Sequence, residues 1–394
     1  MDTVIIKISP PNNFNFLNKS WFVPEITRRR YEDLSPTEKC SDRLYLRHFV
    51  LKCPRPIGFM PRIEVFEKLS EDKTAIQYDL KAEFSVPKML YGNSLQEVSE
   101  QDFGKVLSAL KNGFDRAGVV VEESAIINAT VSVVNFCKNV PLPKELRLQE
   151  ALNELKRIDI NKTVDVTIKE EKNGGRWLHI YSGTLERVFY DKVSDSMRPK
   201  VKRKDKGFIG PERDIIERYG LEKREVFRYE FRIKKAQTVK REINTALGRS
   251  PTAPVLFKDL FTPSLHKTVI LNSWHKLILR PENQLALLGP IDNMSLLSHI
   301  LTQAKNMDGG NAHTMNRALI SYGLAQIARD CGIKELRRTI FSIWDDNHSE
   351  RLTHKIEASA ELMRGLSYSN TINYINEAFR RFEPISLDLL NKGI

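Results

Sequence analysis

Cysteine and long apolar runs are both scarce in this sequence, and each absence argues against particular classes of protein. The 394 residues include four cysteines, which are widely separated and form no Cys-x-x-Cys pair: Cys40, Cys53, Cys137 and Cys331. This spacing argues against a disulfide framework or a structural zinc site. No apolar run approaches the ~20 residues of a membrane span, and the first residues lack the features of a signal peptide. We therefore expect a cytoplasmic protein without a membrane segment.

Several common catalytic motifs are missing as well. The sequence has no GxxxxGK[S/T] loop, no GxSxG elbow, no HExxH helix and no His-x-His pair. These absences argue against a P-loop NTPase, an α/β-hydrolase and an HExxH zinc protease. Residues 348–351 ("HSER"), followed by Tyr374, have the HxxR…Tyr order of tyrosine recombinases. The crowding of that whole set into one helical tail argues against this class too.

An excess of basic residues is the main compositional feature. Lysine and arginine number 62, against 50 aspartates and glutamates, which gives a net charge of +12 and a sequence pI of about 9.4. Such an excess favours polyanionic partners, mainly nucleic acid. A basic surface that serves only solubility or loose association is equally compatible with this composition.

Hydrophobic periodicity in residues 1–245 indicates an α+β protein. Residues 73–84 alternate like a strand, and residues 103–114 repeat apolar side chains at helical spacing. Residues 125–140 form a β-branched run typical of a buried central strand. A hairpin around Gly174-Gly175 and a strand at 226–235 follow. The order predicts an antiparallel or mixed central sheet with packed helices.

The last third of the chain is expected to be helical. Residues 246–289 resemble a linker with short helical turns, and residues 290–394 hold helical stretches punctuated by glycines such as Gly332 and Gly365. The segment 325–340, which contains Arg337 and Arg338, is typical of either a helix-turn-helix or two packed helices. The sequence thus predicts an all-helical C-terminal domain, helix-turn-helix-like on the first interpretation.

Tyr190 and Lys192 in "LERVFYDK" are the first candidate site residues. On a strand they would share one face, with Arg187 on the other. A tyrosine beside a cation is either an ordinary surface pair or a nucleophile for a phosphate. Tyr181 in "WLHIYSG" is the main rival nucleophile, although a glycine occupies its i+2 position.

The strand "VFRYEFRIKK" carries a second candidate set. Alternation places four charged residues on one face, opposite an apolar face: Arg228, Glu230, Arg232 and Lys234. This charged face is either a cross-strand ion-pair lattice or a phosphate track with an embedded metal ligand. Asp79, on another polar strand face, and Asn135, inside an apolar run, are isolated candidates, because hard cations accept carboxylate and amide oxygens.

These motifs, taken in order, resemble the replication initiators of filamentous bacteriophages, a family of rolling-circle nicking proteins, and their relatives in integrated elements. "DLKAEFSVPKMLYGNS" (79–94) is similar to the family's acidic strand, Pro-x-Lys-x-Leu segment and Gly-Asn. "INATVSVVNFCKNV" (127–140) resembles its second central strand, and "RVFYDK" (187–192) its Tyr-x-Lys strand. "FRYEFRIK" (227–234) resembles its Arg-aromatic-Glu-x-Arg strand, and "CGIKELRR" (331–338) a segment near its C-terminus.

The resemblance implies a metal-dependent endonuclease of the rolling-circle replication nuclease type, which nicks one DNA strand at an origin. Carried over by position, Tyr190 would be the nucleophile and Lys192 its cationic neighbour. Asp79 and Glu230 would hold Mg²⁺ or Mn²⁺. The family has an aspartate where this chain has Asn135, and a neutral ligand holds a divalent cation less strongly.

The resemblance also implies DNA as the partner, together with a host replication helicase and polymerase. Basic residues would contact the DNA backbone and give salt-sensitive affinity rather than sequence readout. They are Lys81, Arg187, Arg228, Arg232, Lys234 and, in the basic loop 198–206, Lys202, Arg203 and Lys204. The alternative function is a non-catalytic basic DNA-binding protein that keeps the initiator fold. Within the nicking function, Tyr181 is the alternative or second nucleophile.

Overall fold

The computed structural model of the chain describes most of its length. The described residues are 1–9, 14–16, 21–24, 45–51, 59–70, 75–158, 165–170, 176–197, 212–343 and 347–392. The basic loop predicted to contact DNA, with Lys202, Arg203 and Lys204, lies outside these residues. Among the helices of the described ranges, none is both long and apolar enough to cross a membrane.

A ten-stranded sheet in the order β3-β4-β5-β6-β1-β8-β12-β11-β10-β9 organises the molecule. Every neighbouring pair is antiparallel, and β2 and β7 form a separate antiparallel pair. The strands are β1 Thr3–Ile8, β2 Phe14–Phe16, β3 Phe22–Pro24, β4 Tyr45–Leu51, β5 Arg62–Leu69, β6 Ile76–Ser85, β7 Val119–Val121, β8 Thr130–Pro141, β9 Asp165–Glu170, β10 Arg176–Ser182, β11 Leu185–Asp191 and β12 Val226–Ile233. The predicted central sheet with packed helices is confirmed, and its described pairs are antiparallel.

The helices have the following bounds: α1 Val86–Tyr91, α2 Phe103–Arg116, α3 Glu123–Ile127, α4 Leu148–Arg157, α5 Lys192–Met197, α6 Glu212–Arg218, α7 Ala236–Leu247, α8 Leu265–Ile278, α9 Pro281–Ala286, α10 Asn293–Asp308, α11 Ala312–Cys331, α12 Ile333–Ile343, α13 Asn347–Leu362, α14 Asn370–Arg381 and α15 Leu387–Lys392. In the described ranges, 3₁₀ turns include Glu100–Asp102 and Phe257–Phe261. The predicted helical character of the C-terminal region is confirmed.

The two faces of the sheet differ because each strand alternates polar and apolar residues. On β12, Phe227, Tyr229 and Phe231 enter the hydrophobic core, which α2, α4, α7 and α8 complete on that side, called the apolar face below. The pairing registers place a second set of side chains together on the opposite side, called the polar face. It carries Lys7, His48, Glu64, Lys68, Asp79, Lys81, Asn135, His179, Glu186, Tyr190, Arg228, Glu230 and Arg232.

Residues 246–289, predicted as a linker with short turns, are built into the core of the sheet. They contain the 14-residue helix α8, whose Trp274 is fully buried. Trp274 packs against Tyr229 of β12, with ring centroids 5.9 Å apart, and against Phe379 of α14 at 5.0 Å. A second, separate core joins α9 to α13. The helical region therefore has its own core but also returns to the sheet through α14.

Candidate functional site

Tyr190 lies on the polar face near the end of β11, opposite Arg228 of β12 and Trp177 of β10. Its side chain is half-buried, and its hydroxyl donates a hydrogen bond of 2.5 Å to Glu230 Oε1. Burial and the neighbouring negative charge of Glu230 raise the pKa of the Tyr190 hydroxyl well above its ordinary value. The phenol is therefore neutral in this arrangement, with a carboxylate in place to accept its proton.

Glu230 is the centre of this cluster. Its Oε1 also accepts a bond from Arg228 Nε at 2.7 Å, and its Oε2 accepts from Arg232 Nε and Nη2 at 2.7 and 2.5 Å. Burial opposes ionisation of the carboxyl group, but the charges of Arg232 and Arg228 outweigh it and hold the pKa of Glu230 below its ordinary value. Glu230 is therefore a carboxylate and a weak base while both arginines stay in contact.

Arg228 is fully buried and is held entirely by oxygen acceptors. Besides Glu230, its guanidinium donates to Asp2 Oδ2 at 2.5 Å, Ser94 O at 2.9 Å and Asn139 Oδ1 at 3.1 Å. Asp2 also accepts a bond of 2.7 Å from Ser85 Oγ. Arg228 thus fixes Glu230 from beneath, and it is too deeply buried to contact a bound polymer directly.

Lys192 is not a strand neighbour of Tyr190, because β11 ends at Asp191 and Lys192 begins α5. Its ammonium lies 3.9 Å from Glu212 Oε1 and 4.0 Å from Asp195 Oδ2. Burial lowers its pKa, although these carboxylates oppose the shift. The predicted sharing of one strand face by the tyrosine and the lysine is therefore wrong.

The three residues predicted to hold a metal are not brought together. Asp79 is fully buried on β6, three strands from β12, where it pairs with Lys7 Nζ at 2.7 Å and Lys68 Nζ at 3.2 Å. With strands about 4.8 Å apart and residues about 3.3 Å along each strand, the registers separate Asp79 from Glu230 by more than about 20 Å. Asn135 lies closer, directly opposite Arg232.

No group of three or more histidine, cysteine, aspartate or glutamate side chains in the described ranges is placed to hold a metal ion. Glu230 is already in contact with two arginines and Tyr190. The donor set therefore does not fit the divalent site that the resemblance implies, and Asp79 in particular belongs to another part of the sheet.

The predicted DNA-binding residues occupy three different settings. Arg232 reaches Glu230 beside Tyr190, whereas Lys234 lies further along the polar face; both contact Glu186, four residues along β11 from Tyr190. Lys81 is on the same face but far from Tyr190, paired with Glu64 Oε2 at 3.0 Å. Arg187 lies on the apolar face, where Nε donates to Ser273 Oγ at 3.0 Å and the guanidinium covers Phe231, so it does not reach this site.

Tyr181 shares the polar face with Tyr190 but lies opposite Glu186, four residues along β10 from the position opposite Tyr190. Together with His179 and Trp177 it forms a row of half-buried aromatic rings, with centroids 5.7 and 5.2 Å apart. The alternation in "WLHIY" predicts this row. By contrast, no local pattern predicts that Asp2 or Asn139 contacts Arg228, since both come from distant segments.

The site is therefore one hydroxyl, one carboxylate and two guanidinium groups held on the polar face, with an aromatic row on the next strand. Tyr190 and Glu230, which the sequence analysis selected separately, are in contact, whereas Asp79 lies in another part of the sheet and Lys192, at the start of α5, pairs with Glu212 and Asp195. Comparison of the chain with protein-family models, with curated proteins and with solved structures finds no match in any of the three.

Proposed function

We propose that this protein is a rolling-circle replication initiator of the α+β nicking-nuclease type, which cleaves one DNA strand through Tyr190. The observation that carries the proposal is the hydrogen bond from the Tyr190 hydroxyl to Glu230 beside Arg232. A nucleophile, a proton acceptor and a cation for phosphate oxygens are the three groups that phosphoryl transfer to tyrosine requires. The resemblance of the sequence to the phage initiators points to the same reaction.

In the proposed reaction the Tyr190 oxygen attacks the phosphorus of a DNA phosphodiester. The bond from phosphorus to the 3′-oxygen breaks, the tyrosine proton passes to Glu230, and the leaving 3′-oxygen takes a proton from water. The products are a 5′-phosphotyrosyl bond and a free 3′-hydroxyl. That hydroxyl would prime a host polymerase while a helicase separates the strands.

Arg232 links DNA binding to this proton transfer. It is the more accessible of the two arginines that contact Glu230, with a side chain 30% exposed against 0% for Arg228. A phosphate that draws Arg232 away from Glu230 gains a cation for its developing charge. The same movement removes the main opposite charge beside Glu230, so its pKa rises and it accepts the tyrosine proton more readily.

The reverse step needs no nucleotide cofactor. A phosphotyrosyl diester keeps the energy of the original phosphodiester, so attack by a 3′-hydroxyl rejoins the ends without ATP. The absence of a P-loop sequence agrees with a rejoining step that needs no ATP. The resemblance implies Mg²⁺ or Mn²⁺ as the cofactor, whereas the nucleophile, the proton acceptor and the phosphate-binding cation are side chains of this protein.

A covalent-capture assay tests the proposal without knowledge of the origin. The protein is incubated, with Mg²⁺ or Mn²⁺ supplied, with a random pool of single-stranded oligonucleotides labelled at the 3′ end. Attack by Tyr190 leaves the labelled fragment on the protein, visible on a denaturing gel. We expect Tyr190→Phe to abolish the adduct and Tyr181→Phe to retain it.

A non-catalytic DNA-binding protein is the second candidate. It is favoured by the saturated contacts of Glu230 and by the raised pKa of Tyr190, because both describe a stable resting lattice. Wild-type protein that binds the pool but yields no adduct would support this candidate. An adduct that persists in Tyr190→Phe would instead assign the attack to a different residue.

A further inference from the structure

The ten strands fall into two groups of five with the same connectivity. Outward from the central pair β1–β8, one half runs β6, β5, β4, β3 and the other runs β12, β11, β10, β9. In each half the first strand along the chain pairs with the last strand, and the remaining strands follow in reverse chain order. Because β1 and β8 are antiparallel, an approximate two-fold axis between them relates the halves.

The registers of the two halves also agree. Lys81 of β6 lies opposite Glu64 of β5, as Arg232 of β12 lies opposite Glu186 of β11. An acidic residue precedes each of these bases by two positions, in "YDLK" (78–81) and in "YEFR" (229–232). A helix follows each last strand and ends at a glycine in the left-handed region, with φ of 70° at Gly92 and 67° at Gly248.

Side-chain contacts repeat in the same positions. His48 Nε2 lies 3.6 Å from Glu64 Oε2, and His179 Nε2 lies 3.5 Å from Glu186 Oε2. In each half the base on the last strand approaches the same glutamate oxygen: Lys81 Nζ at 3.0 Å and Arg232 Nη1 at 3.6 Å. A histidine, a glutamate and a base thus recur in one arrangement, so the two halves of the sheet repeat the same local structure.

The halves differ at the position of the proposed nucleophile. On β5, Phe66 lies opposite Asp79, and Lys68 is two residues further along. On β11, Val188 lies opposite Glu230, and Tyr190 is two residues further along. Lys68 Nζ contacts Asp79 at 3.2 Å, as the Tyr190 hydroxyl contacts Glu230. Asp79 is therefore the counterpart of Glu230 in the other half. This equivalence explains why both strands carry an acidic residue two positions before a basic one.

We infer that the half of the sheet around Asp79 is a second phosphate-binding site, which holds DNA but does not cleave it. A protonated lysine has no lone pair to attack phosphorus, so this half lacks a nucleophile at the equivalent position. Its cations are the accessible groups: the side chains of Lys7, Lys68, Lys81 and Arg62 are 24–44% exposed, while Asp79 and Glu64 beneath them are 0% and 10% exposed.

The polar face therefore presents two cationic clusters, separated by β8, to one polyanion. The identity of that polyanion as DNA rests on the proposed function, whereas phosphate binding follows from the exposed cations. A single strand that crosses the sheet would place one phosphate at Tyr190 and others at Lys68 and Lys81. Each phosphate neutralised by a lysine adds about 0.7 to the slope of log K against log salt concentration for single strands.

The test measures binding of a fluorescent oligothymidylate as a function of salt concentration, in the Tyr190→Phe background so that cleavage plays no part. Lys68→Gln and Lys81→Gln are each expected to weaken binding several-fold at low salt and to lower the slope by about 0.7. Lys276→Gln is the matched control. Lys276 is an exposed lysine of α8, on the apolar side of the sheet, and its carboxylate partner is Glu242 of α7. Lys68→Arg keeps the charge and is expected to bind like the parent.

Two results would overturn the inference. One is unchanged affinity and slope in both glutamine variants. The other is an equal loss in Lys276→Gln, which would show that only net charge matters. If Lys68→Gln does not fold, Lys81→Gln decides, because Glu64 keeps Arg62 as a partner at 3.1 Å. Failure of the nicking proposal would leave this binding result unaffected.

Discussion

Glu230 is buried and its carboxylate pairs with two guanidinium groups, so its charge contributes to the free energy of unfolding. Removing one partner of a buried ion pair leaves the others uncompensated, at a cost of about 3–5 kcal/mol. We expect Glu230→Gln, which keeps the shape but not the charge, to lower the free energy of unfolding by roughly that amount, as measured by urea denaturation. Glu377→Gln, in an exposed pair with Arg380, should change it by less than about 1 kcal/mol. Similar effects in both variants would contradict the buried network.

Acid should weaken this network, and the sign follows from the depressed pKa of Glu230. In the unfolded chain a glutamate takes up its proton near pH 4.3, whereas in the folded protein it does so only at lower pH. The unfolded state therefore binds more protons as the pH falls. The contribution of Glu230 is present in full above about pH 5 and is lost progressively as the pH falls towards the lower pKa of the folded state. The gap in unfolding free energy between wild type and Glu230→Gln should shrink between about pH 5 and pH 3. A gap independent of pH would exclude the charge of Glu230 as its cause.

At the scale of single elements, β10 brings an aromatic row next to the strand that carries Tyr190. Trp177 lies directly opposite Tyr190, so a base that stacks on it would belong to a nucleotide close to the scissile phosphate. We expect Trp177→Ala to weaken binding of a single-stranded oligonucleotide by about 1–3 kcal/mol, the value of one stacked base. Tyr322→Ala, at a half-buried aromatic residue of α11, is the control and should leave affinity unchanged. Equal losses in both variants would reject the row as a binding surface.

Local periodicity was sufficient to predict some elements and insufficient for others. The spacing of Val106, Leu110 and Phe114 predicted α2, and the alternation in "VFRYEFRIKK" correctly separated the two faces of β12. The end of β11 was missed because it depends on Asp191. Its carboxylate accepts a 3.1 Å bond from Val193 N and a 2.5 Å bond from Ser194 Oγ, which starts α5 and removes Lys192 from the strand.

At the scale of the whole molecule, strand order is what the sequence could not reveal. Asp79 and Glu230 lie in similar local patterns, so both were assigned to one site, yet only long-range pairing decides that they belong to different halves of the sheet. Tyr190 contacts Glu230 because β11 and β12 pair directly, and this pairing is not specified by either local pattern. Asp2, just before β1, and Asn139 of β8 hold Arg228 from segments that are distant along the chain.

The same long-range packing predicts that the sheet does not fold without the helical region. A fragment of residues 1–245 has all ten strands but lacks α8 and α14, whose Trp274 and Phe379 cover Tyr229 on the apolar face. Losing buried aromatic side chains of this size costs about 3–5 kcal/mol each, which is comparable with the total stability of many domains. We expect this fragment to show no cooperative thermal unfolding by circular dichroism, whereas the full chain does. A sigmoidal transition in the fragment would mean that residues 1–245 form an independent domain.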